Sequence, residues 1–312
     1  MFRILTLVRW RSILYAAFMM YAMRYLVIGP LLKVHGGTLL TRNGDFTLLI
    51  LSVCCLIAAA HVINDYFDTK ADRISGIKNV VVGRVISRRC AIFLHTVLNT
   101  VAIGTAFYLG IKVGVWEIGI LFLLISGMLW FYSSRYKRYF LVGNLLVALL
   151  AAAIPLGVLL FELLVAKENG MDAASFDRLD FPYILRWVGG FSFFVFLNTL
   201  MYEVNKDIYT AKGDAEDGNR TIPVKKGTKS AVCLIGSLGL LGMAVLLGLY
   251  FTLFSSFLLL SLYLGIGLFI PYLIYTVSVW SGRRNRKFQL GLIRLIMVLC
   301  MAFGFGLPEF FR

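Results

Sequence analysis

Nine stretches of the chain are apolar over enough residues to cross a bilayer, at about 12–32, 46–63, 90–111, 116–133, 140–162, 183–201, 230–251, 257–279 and 289–307. About 20 apolar residues rising 1.5 Å each match a hydrocarbon core about 30 Å thick. The pattern predicts an all-α, polytopic membrane protein of nine spanning helices. The stretch carrying Arg3, Arg9 and Arg11 ahead of the first span has no small-residue cleavage site, so that span reads as retained.

Composition agrees with that pattern. Of 312 residues, 60% are hydrophobic and the mean hydropathy is +0.83, where a soluble domain is about 45–50% apolar. Cys54, Cys55, Cys90, Cys233 and Cys300 lie in or beside apolar runs with no zinc-like spacing, and read as small apolar side chains.

The net charge of +15 suggests nucleic acid at first sight. Its distribution points elsewhere. With the N-terminus cytoplasmic, 22 of the 31 Lys and Arg fall in inside segments and 7 outside, with Arg24 and Arg294 within spans. That bias orients a membrane protein with its N-terminus in and its C-terminus out. The bilayer is the expected partner, and nucleic acid is not.

The inside carboxylates are distributed differently. Asp65, Asp68 and Asp72 close the second span; Glu203, Asp207, Asp214, Glu216 and Asp217 close the sixth. The other three inside segments have none. An ionised Asp at a bilayer centre costs roughly 2.5–3.5 kcal/mol, so both groups belong at the water boundary or around a polar cavity. Asn64, Asp68 and Asp72, spaced four apart, drift about 40° per step and share one helix face. Glu203, Asp207 and Asp214 also fall within about 40° on a helix, though Gly213 is expected to interrupt it and leave Asp214 on a loop. Each group is followed by basic and β-branched residues, 80–89 and 221–229, leading into the next span.

Like charges at this spacing repel, and a divalent cation offsets the cost. Mg²⁺ takes one or two carboxylates, keeps waters, and fills its other positions with phosphate oxygens. Lys and Arg beside such a metal bind phosphate. Beneath apolar helices, such a site suits a molecule with a greasy tail and a charged head, a polyprenyl diphosphate. Metal and fixed cations would neutralise the departing diphosphate while an acceptor attacks the allylic carbon.

Asn64-Asp65-x-x-Asp68-x-x-x-Asp72, with Lys206-Asp207-Ile208, Gly213-Asp214, Gly218 and Thr221-Ile222-Pro223-Val224, resembles the UbiA superfamily of intramembrane prenyltransferases. Tyr132-Ser133, Lys137-Arg138 and Gly143-Asn144-Leu145 add to the likeness, which runs over about residues 9–305. The resemblance implies one integral-membrane prenyltransferase domain over 1–312, a nine-helix bundle whose central cavity is capped by two acidic cytoplasmic loops. It implies Mg²⁺ on Asp68, Asp72, Asp207 and Asp214, with Asn64 orienting the first group. Lys78, Arg84, Lys137, Lys206 and Arg220 are the candidate phosphate contacts. The style is that of geranylgeranylglycerol-phosphate geranylgeranyltransferases. Thr210 stands where the family usually has Asp, Tyr202 where Arg is common, and the Pro-rich turn after Asp72 is absent.

The expected reaction is Mg²⁺-dependent transfer of a prenyl group from a polyprenyl diphosphate to a lipophilic or amphipathic acceptor. A quinone-precursor aromatic prenyltransferase is the alternative acceptor class. A transporter with carboxylate gates is the alternative of another kind; transporters usually hold such residues near the midplane, whereas both groups here close spans at one side. His61, one turn before Asn64, is a candidate base, though a bundle histidine is more often simply hydrogen-bonded.

Overall fold

The computed structural model describes residues 2–74, 81–171, 179–282 and 285–311. Among the described residues a short helix, Phe2–Leu7, precedes nine helices long and apolar enough to span a membrane. These are α1 Trp10–Val34, α2 Asn43–Phe67, α3 Arg88–Lys112, α4 Glu117–Ser134, α5 Val142–Glu168, α6 Phe181–Glu216, α7 Ile222–Phe254, α8 Leu258–Trp280 and α9 Lys287–Gly306. Every apolar stretch has its helix, and the chain is a multi-pass integral membrane protein. Among the described residues the only β feature is a single bridge, Val82 to Ile86.

In hydrocarbon each backbone polar group must be satisfied within its own segment, which is why the runs become helices. Local chemistry sets their ends. Ser87 caps α3 by accepting from Cys90 N, and Asp180 caps α6 by accepting from Tyr183 N. Gly218, at φ 77°, follows the C-terminus of α6.

Helix α6 is the axis of the bundle. It packs against α5, α7, α9 and a short helix, Thr69–Ile74, that follows α2. Lipid tails are as apolar as leucine, so contact depends on close packing rather than on water exclusion. Gly239 on α7 lies so near α8 that an added Cβ would overlap Thr276.

Arg24 and Glu162 form a buried pair at the end of the bundle away from the acidic motifs, 1% and 5% exposed, with Nε to Oε1 at 3.0 Å. Arg24 also donates to the Thr41 carbonyl and lies over the Phe46 ring at 4.3 Å. Lys112 pairs with Asp45 at the same end.

Candidate active site

The first acidic motif does not lie on one continuous helix. Helix α2 ends at Phe67, Asp68 is its C-cap, and the chain restarts as Thr69–Ile74. Asn64 Nδ2 donates to Asp68 Oδ2 at 2.8 Å. Lys137, in the turn Tyr136–Arg138 between α4 and α5, pairs with Asp68 Oδ1. A helix C-terminus carries about half a negative charge, so a carboxylate there is costly without a cation. Lys137 supplies part of that compensation. The side chain of Asp72, and Lys78 entirely, lie outside the described residues.

The second motif departs from expectation at Gly213. Helix α6 runs through it to Glu216, and Gly213 is buried. Asp214 is therefore helical. Thr210 Oγ1, one turn earlier, donates to its Oδ2 at 2.7 Å, and Asn219 Nδ2 to its Oδ1 at 3.0 Å. Thr210, which stands where the family usually has Asp, fixes Asp214 through this bond. Asp207 is 6% exposed, and its Oδ2 accepts from Asn144 Nδ2 on α5 at 2.8 Å.

Packing of Thr69–Ile74 on α6 brings the two motifs together. Tyr132, near the end of α4, lies within electrostatic reach of Asp68, Asp207, Glu203 and Lys206. A second charged layer adjoins the first. Arg9 Nη2 bonds Asp65 Oδ1 at 2.9 Å, and Lys206 Nζ bonds Glu203 Oε2 at 2.5 Å. His61 is near both cations, and its Nε2 is buried with no hydrogen-bond partner.

Of the expected cationic contacts, Lys137 and Lys206 are at the site. Arg84 is exposed on a turn, and the Arg220 side chain is exposed while its backbone N–H donates to the Arg138 carbonyl at 3.1 Å. The Arg9–Asp65 pair had no sequence signal, because it depends on how the start of α1 meets the end of α2.

The oxygen-rich set fits a hard divalent cation. Asp207 and Asp214 have neutral hydrogen-bond donors but no Lys or Arg partner among the described residues. No three metal-ligating side chains converge among those residues.

Two relatives are digeranylgeranylglyceryl phosphate synthases. That of Methanosphaera stadtmanae is 28% identical over 199 residues, 63% of this chain and 64% of its own. That of Methanothermobacter thermautotrophicus is 28% identical over 207 residues, 65% of this chain and 64% of its own. The matched region thus spans just under two thirds of either relative. Among solved structures, a UbiA homolog from Archaeoglobus fulgidus bound to GPP and Mg²⁺ aligns over 98% of this chain and 99% of its own, at TM-score 0.57 and 16% identity. That likeness shows the fold. The model of the UbiA prenyltransferase family matches residues 9–305. With that match across nearly the whole chain, and with nine spanning helices and two acidic motifs meeting at one end, the chain belongs to the UbiA prenyltransferase family.

Proposed function

We propose that the chain transfers a prenyl group from a polyprenyl diphosphate to an amphipathic acceptor, with Mg²⁺ held by Asp68, Asp72, Asp207 and Asp214. The observation that carries this reading is the meeting of two acidic motifs through Thr69–Ile74 on α6, with Asp207 buried and in no ion pair among the described residues. Bound Mg²⁺ supplies charge neutralisation to the departing diphosphate.

The chain's own residues do the positioning. Asn64 turns the Asp68 carboxylate, Asn144 turns that of Asp207, and Thr210 with Asn219 turns that of Asp214. Lys137 adds a fixed positive charge beside Asp68, where diphosphate oxygens would gather. The apolar spans around the site receive the prenyl tail and keep water from an allylic cation. Arg84 and Arg220 are peripheral to this arrangement and serve at most to draw the donor in.

The N-terminus lies in the cytoplasm and the site opens on that side, supported by the 22-to-7 partition of Lys and Arg. Digeranylgeranylglyceryl phosphate synthase is the name of the two relatives described above, which favours a prenylglycerol phosphate as acceptor and geranylgeranyl diphosphate as donor.

The test is transfer of radiolabelled geranylgeranyl diphosphate to a prenylglycerol phosphate by purified protein in lipid. Transfer should require Mg²⁺, cease with EDTA, and be abolished by Asp68→Ala and by Asp207→Ala in folded protein. Full activity in either variant overturns the assignment.

A further inference from the structure

The proposed reaction brings together two anionic molecules, and a second charged layer lies beside the carboxylates. Arg9 stands at the junction of Phe2–Leu7 and α1 with φ 52°. A non-glycine residue keeps that backbone shape only where its surroundings enforce it, and such residues gather at functional sites. Its guanidinium spends one nitrogen on Asp65 and remains 37% exposed, while Asp65 is 18% exposed. Lys206 repeats the arrangement, bonded to Glu203, with the amine side chain 26% exposed and the carboxylate 12%. In each pair the carboxylate is the more buried partner and the cation the more open one. The remaining N–H groups of both cations are available to a ligand. Lys206 lies within electrostatic reach of both Arg9 and Asp207, so this layer adjoins the donor's.

A third group is not used in the donor reading above. His61 Nε2 is buried, meets no hydrogen-bond partner, and lies near both Arg9 and Lys206. A buried, unpaired polar atom costs stability, and this one is left open to a ligand group.

We propose that Arg9 and Lys206 bind the phosphomonoester headgroup of the acceptor, and that His61 Nε2 receives the acceptor's hydroxyl. This rests on the prenyl-transfer reading above. A phosphomonoester offers three oxygens to cations arriving from two elements, where a carboxylate offers two. Asp65 and Glu203 hold the cations in place beforehand, so little order is lost on binding. The division also keeps the substrates from exchanging places: the diphosphate needs the carboxylates and their metal, and the monoester needs the basic pair. In the transfer, the hydroxyl oxygen forms a bond to the prenyl carbon as the bond from that carbon to the diphosphate oxygen breaks. The bonding electrons leave with the diphosphate, and the hydroxyl proton passes to His61 Nε2.

The experiment compares wild type, Arg9→Gln, Arg9→Lys and His61→Ala in lipid nanodiscs with Mg²⁺ and radiolabelled geranylgeranyl diphosphate. The acceptors are a prenylglycerol phosphate, the same molecule without phosphate, and 4-hydroxybenzoate. For Arg9→Gln, KM for the phosphorylated acceptor should rise about ten- to hundredfold, the range for a lost charged hydrogen bond. KM for the donor and turnover of the dephosphorylated acceptor should not change, and Arg9→Lys should recover part of the loss. His61→Ala should lower kcat with acceptor KM unchanged. An unaltered acceptor KM in Arg9→Gln, or a donor KM rising in step, overturns the headgroup site. A wild-type preference for 4-hydroxybenzoate overturns the phosphomonoester assignment. A wild type that neither transfers nor hydrolyses the donor overturns the transfer reading instead. Equilibrium binding of the phosphorylated acceptor without donor then tests the anion site alone: binding at least tenfold weaker in Arg9→Gln supports it, and equal binding overturns it.

Discussion

Asp207 is a buried carboxylate that, among the described residues, has one side-chain hydrogen bond, from a neutral amide. Burying such a charge costs free energy, so removing it should not harm the fold. Asp207→Asn is expected to keep or raise Tm while lowering transfer by about 10²-fold or more, in line with loss of one electrostatic contact to the reacting group. Thermal unfolding beside a transfer assay checks both halves; a variant that loses stability along with activity contradicts the unpaired-charge account. The reverse case is Arg24. Replacing Arg24 with Met leaves Glu162 buried without its cation, held only by the Thr41 N–H, and should cost about 3–5 kcal/mol, and adding Glu162→Leu should restore most of it. Denaturation of the single and double variants measures this coupling. The sequence made Asp68, Asp207 and Asp214 legible because carboxylates are rare around spans and stand out at their ends. It left Arg9–Asp65 and Arg24–Glu162 illegible. Their partners lie far apart in the chain and meet only through helix packing, while a lone Arg near a span also reads as a topology signal.

Among the elements, the number of spans was readable and their joints were not. Hydropathy marks where a helix must run but is blind to a break in a polar stretch. So the interruption at Asp68, between α2 and Thr69–Ile74, did not show in a spacing that fits one helix face. At Gly213 the opposite happened. A glycine that looked like a helix end is buried inside α6, because Thr210 and Asn219 tie Asp214 down and Gly218 ends the helix instead. Close approach of α7 to α8 is the other element-level feature. Gly239→Val should push those helices apart and destabilise the bundle by about 1–3 kcal/mol, far from the acidic motifs. Its donor KM should remain that of wild type in the protein that stays folded, which a kinetic assay below its unfolding temperature measures.

For the whole molecule, the partition of basic residues predicts one orientation, with the acidic motifs inside. In right-side-out vesicles, a cysteine at Gly170, exposed after α5, should react with a membrane-impermeant maleimide, and one at Gly282, exposed after α8, should not. A background free of native cysteines is needed, since Cys90 and Cys233 are also exposed. Labelling with the two positions reversed would invert the topology. The ends of the bundle also differ in electrical balance. Away from the site, Arg24–Glu162 and Lys112–Asp45 leave no net charge in either pair. At the site, Asp207 and Asp214 form no ion pair among the described residues and are held by neutral donors. On the Mg²⁺ site proposed above, folding is linked by mass action to the supply of divalent ions. An ion that binds only the folded chain adds about 2.7 kcal/mol at a hundred times its dissociation constant. On that proposal, a cell short of magnesium would hold less of this protein in its native form, as well as running it more slowly.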